Sequence, residues 1–209
     1  MRGSGFWEML GDRDRESLKA AARSRVFADN AILCLEGEPS THLFVVLSGW
    51  VKVITSASDG RQMLAGLRGE GDIVGDTARL TGYRTATLQA LGTARALIIG
   101  AEQFETFLDA HVDAARAYRR VQGEHERAAH SSLRSSSLSS GPQRLAALLL
   151  DLDGATPPLS QEELASLIGA SRSTVTRALS GWRSRKIVAT HQRDITILDP
   201  AALRRIAGR

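Results

Sequence analysis

Hydrophobic positions change period several times along this chain of 209 residues. In residues 7–23, Trp7, Leu10, Leu18 and Ala21 lie at helical spacing and predict a short amphipathic helix. From there to about residue 100 the apolar residues fall in short runs separated by Gly, Pro, Ser or Asp. Residues 31–35, 43–47, 50–55, 62–67, 87–91 and 94–99 are rich in branched side chains and predict strands. In the third of these, Val51 and Val53 alternate with Trp50, Lys52 and Ile54, so one face is half exposed. Many short strands without intervening helices read as a small antiparallel barrel or roll. From Glu102 the period turns helical: Phe104, Leu108, Val112, Ala115, Tyr118 and Val121 recur at steps of three and four. Continued into the 130s, that helix spans on the order of 45 Å. It is too long to pack wholly on the roll, and its apolar seam predicts pairing with a second copy, as in a two-stranded coiled coil.

Residues 131–142 are dense in serine and end in Gly141-Pro142, which reads as a hinge or as a solvated linker. A further apolar helix is predicted over 143–152. After it, Ser160 can cap a helix while Glu163 returns a bond to the cap's own amide. Leu164, Ala165, Leu167 and Ile168 give that helix one apolar side, and Gly169-Ala170 supplies a tight turn. Ser171 then caps a second helix, on which Val175, Leu179 and Trp182 face the core. Its other face carries Arg172, Ser173, Thr174, Thr176 and Arg177, a donor-rich surface with no acid beside a helix N-terminus that favours phosphate. Two amphipathic helices about a glycine turn occur in many helical domains, so pattern alone does not separate a DNA-reading helix-turn-helix from simple packing.

Charge separates them. From Ser171 to the C-terminus nine Lys or Arg face two Asp, a net of +7, whereas residues 1–170 carry 18 against 21, a net of −3. A basic excess confined to one end is the electrostatic footprint of nucleic-acid binding. Residues 187–190 and 195–198 flank His191-Gln192-Arg193-Asp194 and predict a hairpin, the wing of a winged helix, with His191, Gln192 and Arg193 near phosphates.

Other classes are disfavoured. A composition of 43% hydrophobic and 24% charged residues is that of a folded globular chain. No apolar run approaches the roughly 20 residues of a membrane span, and the N-terminus lacks a signal-peptide core, so a cytoplasmic location is expected and no membrane partner. With Cys34 the single cysteine, no internal disulfide or four-thiolate cluster can form, and the five histidines lack metal-site spacing. No nucleophile elbow or phosphate-cradling Walker loop points to an enzyme.

Roll, long helix and winged helix-turn-helix, in that order, resemble the Crp/Fnr family of bacterial transcription regulators, which includes cyclic AMP receptors, across nearly the whole chain. Residues 169–179, GASRSTVTRAL, look like the family's recognition-helix signature; Gly37-Glu38-Pro39 and residues 42–49 resemble its early turn and hairpin. The resemblance implies an α+β chain: an antiparallel jelly-roll effector domain over 1–101, a dimerisation helix and hinge over 102–138, and a winged helix-turn-helix over 139–209. It implies a homodimer on a palindromic operator, with Arg172 and Arg177 at base edges and Ser171 on phosphate. Ser173 departs from the glutamate of many members, so the preferred half-site should differ from theirs. Residues 75–86 look like the family's phosphate-binding cassette for cyclic nucleotides. Gly75, Thr77, Arg84 and Thr85 would hold the cyclic phosphate, with amides at the start of a short helix, and Asp76 the ribose hydroxyl. Cyclic AMP binders normally carry glutamate in place of Asp76, and the family's purine-reading hydroxyls fall near Ala129 and His130. An alternative is a structural ion pair between Arg84 and Asp76 in an empty roll. RNA polymerase is a further implied partner, with 151–158 its candidate contact by position. No tightly bound cofactor is implied, and cyclic AMP or another cyclic nucleotide would be the effector. Two other readings stay open: a DNA-binding regulator without an effector, and a nucleotide-binding module that controls an enzyme.

Overall fold

The computed structural model describes residues 5–56, 60, 62–77, 82–152 and 157–209, with the side chains of 128–138 outside that description. Two compact units divide the chain, one ending at His125 and the other beginning at Glu126. The first opens with two short helices, α1 (Phe6–Met9) and α2 (Asp12–Ala20). A six-stranded antiparallel sheet follows: β1 (Arg23–Phe27), β2 (Ile32–Cys34), β3 (His42–Ser56), β4 (Gln62–Arg68), β5 (Ile73–Val74) and β6 (Thr87–Gly100). Its order is β1-β6-β3-β4, with β2 on β6 and β5 on β3. Helix α3 (Ala101–Ala110) follows β6 directly, and α4 (Val112–Leu138) runs out of the unit.

Alternate residues of β3 feed two cores. Leu43 and Val45 join Phe6, Leu18, Ile99, Phe104, Phe107, Ala114, Ala117 and Val121, where helices cover the sheet. Phe44 and Val46 point the other way, into the roll, against Phe27, Cys34, Val74, Leu88, Ala90 and Ala96. A strand buried on both faces reads as an unbroken apolar run, which is what residues 43–47 are.

Several expectations from periodicity are corrected. The helix expected over 7–23 is two helices and a strand, because Gly11 separates α1 from α2 and Arg23 enters the sheet opposite Ile98. Residues 43–47 and 50–55 form one strand, as do 87–91 and 94–99. Gly49, at φ +79, absorbs the irregularity between them; a Cβ there would lie 2.3 Å from the Thr93 carbonyl oxygen. Lys52, expected on a half-exposed face, is buried, 7% exposed, with its amine 3.4 Å from Asn30 Oδ1.

The long helix is broken at His111, whose backbone is extended at φ −128, ψ 86. The ring stacks on Phe107 and clamps α2, Nδ1 2.6 Å from Asp14 Oδ1 and Nε2 3.1 Å from Ser17 Oγ. The seam assigned to a second copy is largely consumed within the unit. Phe104 and Val121 are 0% and 3% exposed in the sheet–helix core, Leu108 and Tyr118 pack against it, and Val112 alone of those six is well exposed, at 59%. Residues 131–138, read as a hinge or linker, are helical. Serine costs a helix only a few tenths of a kcal/mol, and neither Gly nor Pro interrupts the backbone there.

The second unit carries α5 (Gly141–Asp151), α6 (Gln161–Leu167), α7 (Arg172–Ser184), the hairpin β7 (Val188–His191) and β8 (Asp194–Ile197), and α8 (Pro200–Ala207), which the periodicity did not predict. Pro142 opens α5 instead of ending a segment: it occupies the first turn, where its missing amide has no partner to lose, behind a capping box of Ser140 and Gln143. Leu145, Leu149, Leu164, Val175, Leu179, Trp182 and Leu203 are buried in this unit.

Phe104→Ala should cost about 3–5 kcal/mol in urea unfolding, because it empties the middle of the sheet–helix core, whereas Val112→Ala should stay within about 0.5 kcal/mol. Equal losses would show that α3 and α4 bury a different face.

Candidate functional site

The helix-turn-helix is built by local bonds. Ser160 Oγ accepts from the Glu163 amide at 3.2 Å and Glu163 Oε2 accepts from the Ser160 amide at 2.8 Å, so α6 begins on the predicted capping box. Gly169, at φ +59, makes the turn. Ser171 Oγ then accepts from the Thr174 amide at 3.2 Å and opens α7, whose Val175, Ala178, Leu179 and Trp182 are buried. The predicted reading face is exposed: Arg172, Ser173, Thr176 and Arg177 point to solvent, with Thr174 half-buried beside the cap. No acid lies in the first turn of α7, so its partial positive charge is uncompensated.

Secondary contacts hold that face. Thr176 donates to Gln161 Oε1 at 2.5 Å or to the Arg172 carbonyl at 3.0 Å, so its hydroxyl faces an incoming group as an acceptor. Arg177 Nε donates to the Ser173 carbonyl at 3.3 Å, which steadies the stem while the terminal nitrogens have no protein partner among the described residues. Arg144 of α5 gives Nε to the Ile168 carbonyl at 2.7 Å and Nη2 to the Gly169 carbonyl at 3.1 Å, and Nη1 reaches the Ser139 carbonyl. Arg144 and Gln161 escaped the sequence reading because their partners lie 24 and 15 residues away. The predicted hairpin forms, but its strands run one residue further into the expected tip and leave a turn of Gln192 and Arg193. His191 pairs with Asp194, Gln192 takes the left-handed conformation at φ +51, and His191, Gln192 and Arg193 are exposed. Arg183 Nη1 donates to Thr190 Oγ1 at 3.4 Å, which ties α7 to the wing.

Of the second set of predicted residues, Asp76 and Arg84 are buried in the first unit, Gly75 is half-buried, and Thr77 and Thr85 are exposed. Arg84 is 3% exposed; Nη1 donates to the Gly75 carbonyl at 2.8 Å, and the guanidinium lies 5.7 Å from the Phe44 ring centre. Its backbone is fixed by the early turn, the Arg84 amide donating to Glu38 and the Arg84 carbonyl accepting from Gly37. Arg84 Nη2 is buried and has no hydrogen-bond partner among the described residues. A buried charged donor left open costs more than an ordinary hydrogen bond returns, so Nη2 can take a further acceptor. Gly75, at φ +76, is what admits the guanidinium, since a Cβ there would lie 2.6 Å from Nη1. Thr77 Oγ1 and Thr85 Oγ1 are 3.3 Å apart. Residues 78–81 of the expected cassette helix lie outside the described residues, as do the side chains of Ala129 and His130.

Asp76 does not pair with Arg84, which corrects the ion-pair alternative. Its Oδ2 accepts from Tyr118 Oη at 3.0 Å and from the Gln122 side-chain amide, both on α4. Burial lowers the pKa of His42, and the nearby Arg84 lowers it further against the pull of Glu38. His125 is also lowered, by burial and by Arg68, with Asp72, Asp76 and Glu124 opposing.

Against known proteins, two domain models match: a cyclic nucleotide-binding domain over residues 24–111 and a Crp-like helix-turn-helix domain over 143–206. The chain is 30% identical over 184 residues to a CRP-like cAMP-activated global transcriptional regulator of Mycobacterium tuberculosis, covering 82% of each chain. Among solved structures, FixK2 of Bradyrhizobium japonicum superposes with a TM-score of 0.78 at 21% identity, over 88% of this chain and 96% of that one. The c-di-GMP responsive regulator CLP of Xanthomonas campestris gives 0.73 at 20% identity, over 90% and 99%. The chain belongs to the Crp/Fnr family: it is a transcription regulator with a cyclic-nucleotide-binding domain followed by a DNA-binding helix-turn-helix. Its family is one of regulators and not of enzymes, and among the described residues no helix is long and apolar enough to cross a membrane.

Both histidine shifts favour the neutral ring in the folded state. The unfolded chain then binds the additional proton, so this contribution is intact above the unfolded value of about 6.5 and is lost as pH falls from there through the lowered folded-state values. The thermal midpoint should drop between pH 7.5 and 5.5, and less so in His42→Gln/His125→Gln. Identical slopes in the two proteins would sink the assignment.

Proposed function

We propose that this regulator binds a palindromic operator as a homodimer and takes a cyclic nucleotide as its effector. Residues 1–101 serve as effector domain, 102–138 as dimerisation helix and hinge, and 139–209 as DNA-binding domain. On DNA, Arg172 and Arg177 read base edges, because a guanidinium fork matches both major-groove acceptors of guanine. Ser171 and Thr174 hold phosphate at the helix start, Ser173 and Thr176 lie between the arginines, and His191, Gln192 and Arg193 follow the backbone from the wing. Dimerisation rests on family membership, because the apolar seam of α3 and α4 is spent on the roll. RNA polymerase is the partner proposed for 151–158, of which 153–156 lie outside the described residues; Asp151 there is held by Arg209 at 2.7 Å.

One observation carries the effector: Arg84 is buried, with Nη1 against the glycine of the cassette and Nη2 left open. That group suits a cyclic phosphate, with Gly75, Thr77 and Thr85 beside it, Asp76 toward the sugar, and Ala129 and His130 as the nearest positions for the base. The relative from Mycobacterium tuberculosis is described as cAMP-activated, whereas CLP is described as c-di-GMP responsive, so the family's members differ in effector.

Operator selection from random DNA, with and without cyclic AMP and cyclic GMP, tests both halves. Arg177→Ala should lose about 1–3 kcal/mol on the selected operator and relax one base pair per half-site. Arg193→Ala should weaken all sequences alike and lower the salt slope by roughly one. An unchanged consensus in Arg177→Ala would show that the reading face lies elsewhere.

In calorimetry with cyclic AMP and cyclic GMP, Arg84→Leu should lose at least roughly tenfold in affinity, the worth of one charge-assisted hydrogen bond. Gly75→Ala should lose binding too, since its Cβ displaces the guanidinium. Wild-type heat that neither substitution reduces would show that the nucleotide lies elsewhere.

A further inference from the structure

We infer that Tyr118 and Gln122 form a latch that competes with the effector for Asp76, and so set both its affinity and its action on α4. The inference rests on the nucleotide reading of the pocket. Asp76 is 5% exposed, and two donors from α4 already converge on one of its oxygens, Oδ2. Tyr118 and Gln122 are four residues apart, one turn on the same face of a helix, so one carboxylate engages both and fixes that turn against the roll.

The phenol is not a mobile arm. Its ring meets Phe104 edge-on at 5.3 Å and Phe6 at 6.2 Å, within the aromatic cluster that joins α1, α3 and α4. Tyr118 therefore presents its hydroxyl from a packed position, and leaving Asp76 requires this stretch of α4 to shift.

Asp76 directly follows Gly75, whose carbonyl holds Arg84. The open Arg84 Nη2 and the engaged Asp76 thus form two ends of one cradle in different states: the anion end lacks a partner and the hydroxyl end is satisfied from within. A ligand carrying both an anion and a sugar hydroxyl completes Arg84 and takes Asp76 from Tyr118 and Gln122. A simple anion such as inorganic phosphate completes Arg84 alone and leaves the latch closed. Only a ligand with different affinities for the latched and unlatched arrangements can shift between them, and competition for Asp76 supplies that difference.

Tyr118→Phe/Gln122→Met keeps the ring and the side-chain length while deleting both donors. In calorimetry with cyclic AMP it should bind about tenfold more tightly than wild type, because the ligand no longer displaces two charge-assisted bonds. Tyr118→Phe alone, should the double variant not fold, should tighten binding about threefold by the same reasoning. In nucleotide-free protein, amides of residues 112–125 should exchange faster in the variants, and in wild type they should speed up with cyclic AMP but not with inorganic phosphate.

Binding by the variant alone would support latch and pocket together. Heat from wild type with equal or weaker affinity in the variants would overturn the latch and leave the nucleotide reading standing, since Tyr118 and Gln122 would then orient Asp76 for the ligand. No heat from wild type or variants would overturn the nucleotide reading, and the competition with it.

Discussion

Strand β3 is buried on both faces along residues 43–46, and the two cores that this creates position both the helices and the Arg84 cradle of the first unit. Leu43 and Val45 anchor the helices through Phe6, Phe104 and Val121. Phe44 and Val46 line the roll, and Phe44 carries the Arg84 guanidinium at 5.7 Å. The same strand thus determines where α4 lies and where the pocket's cation lies. Because neighbouring residues of a strand point to opposite faces, a slip of one residue in β3 would exchange the two cores and lose both positions.

Burying Arg84 is costly, and the surrounding chain answers only part of that cost. The Gly75 carbonyl takes Nη1 and the Phe44 ring gives a favourable face, while the backbone of Gly37 and Glu38 fixes the residue's position. Asp76, the nearest carboxylate in sequence, is turned toward α4. The cation's effect appears in its neighbours: it pushes the His42 ring further toward the neutral form than burial alone does, and it offsets part of the rise that burial imposes on the Cys34 thiol. Nη2 is left as a strong donor without a partner among the described residues.

The DNA-binding unit follows a different logic, of local bonds reinforced by a few long ones. Caps at Ser140, Ser160, Ser171 and Asp199 open its four helices, and each side chain accepts from an amide three residues on. Arg144 then collects the carbonyls that α6 leaves exposed at its end, so the turn between α6 and α7 does not depend on glycine alone. The basic side chains are left on the outside of this frame, where they raise affinity for a polyanion without disturbing the fold.

What the sequence by itself determined is the set of features whose causes lie within a few residues. The capping box of Ser160 and Glu163, the cap at Ser171, the burial of Val175, Leu179 and Trp182, the exposure of Arg172 and Arg177, and the presence of a hairpin after α7 all follow from spacing along one helix or hairpin. The cassette residues were visible as a resemblance, and Arg84 and Gly75 do meet. What only the tertiary structure decided depends on pairs far apart in the chain. Asp76 is claimed by Tyr118 and Gln122, 42 and 46 residues on, and the helix predicted to run through His111 is interrupted there as its ring reaches Asp14 and Ser17, 97 and 94 residues back. A seam at helical spacing says that a helix has an apolar side but not what covers it. Here the roll of the same chain covers it, because β3 already exposed a second apolar face that needed burying.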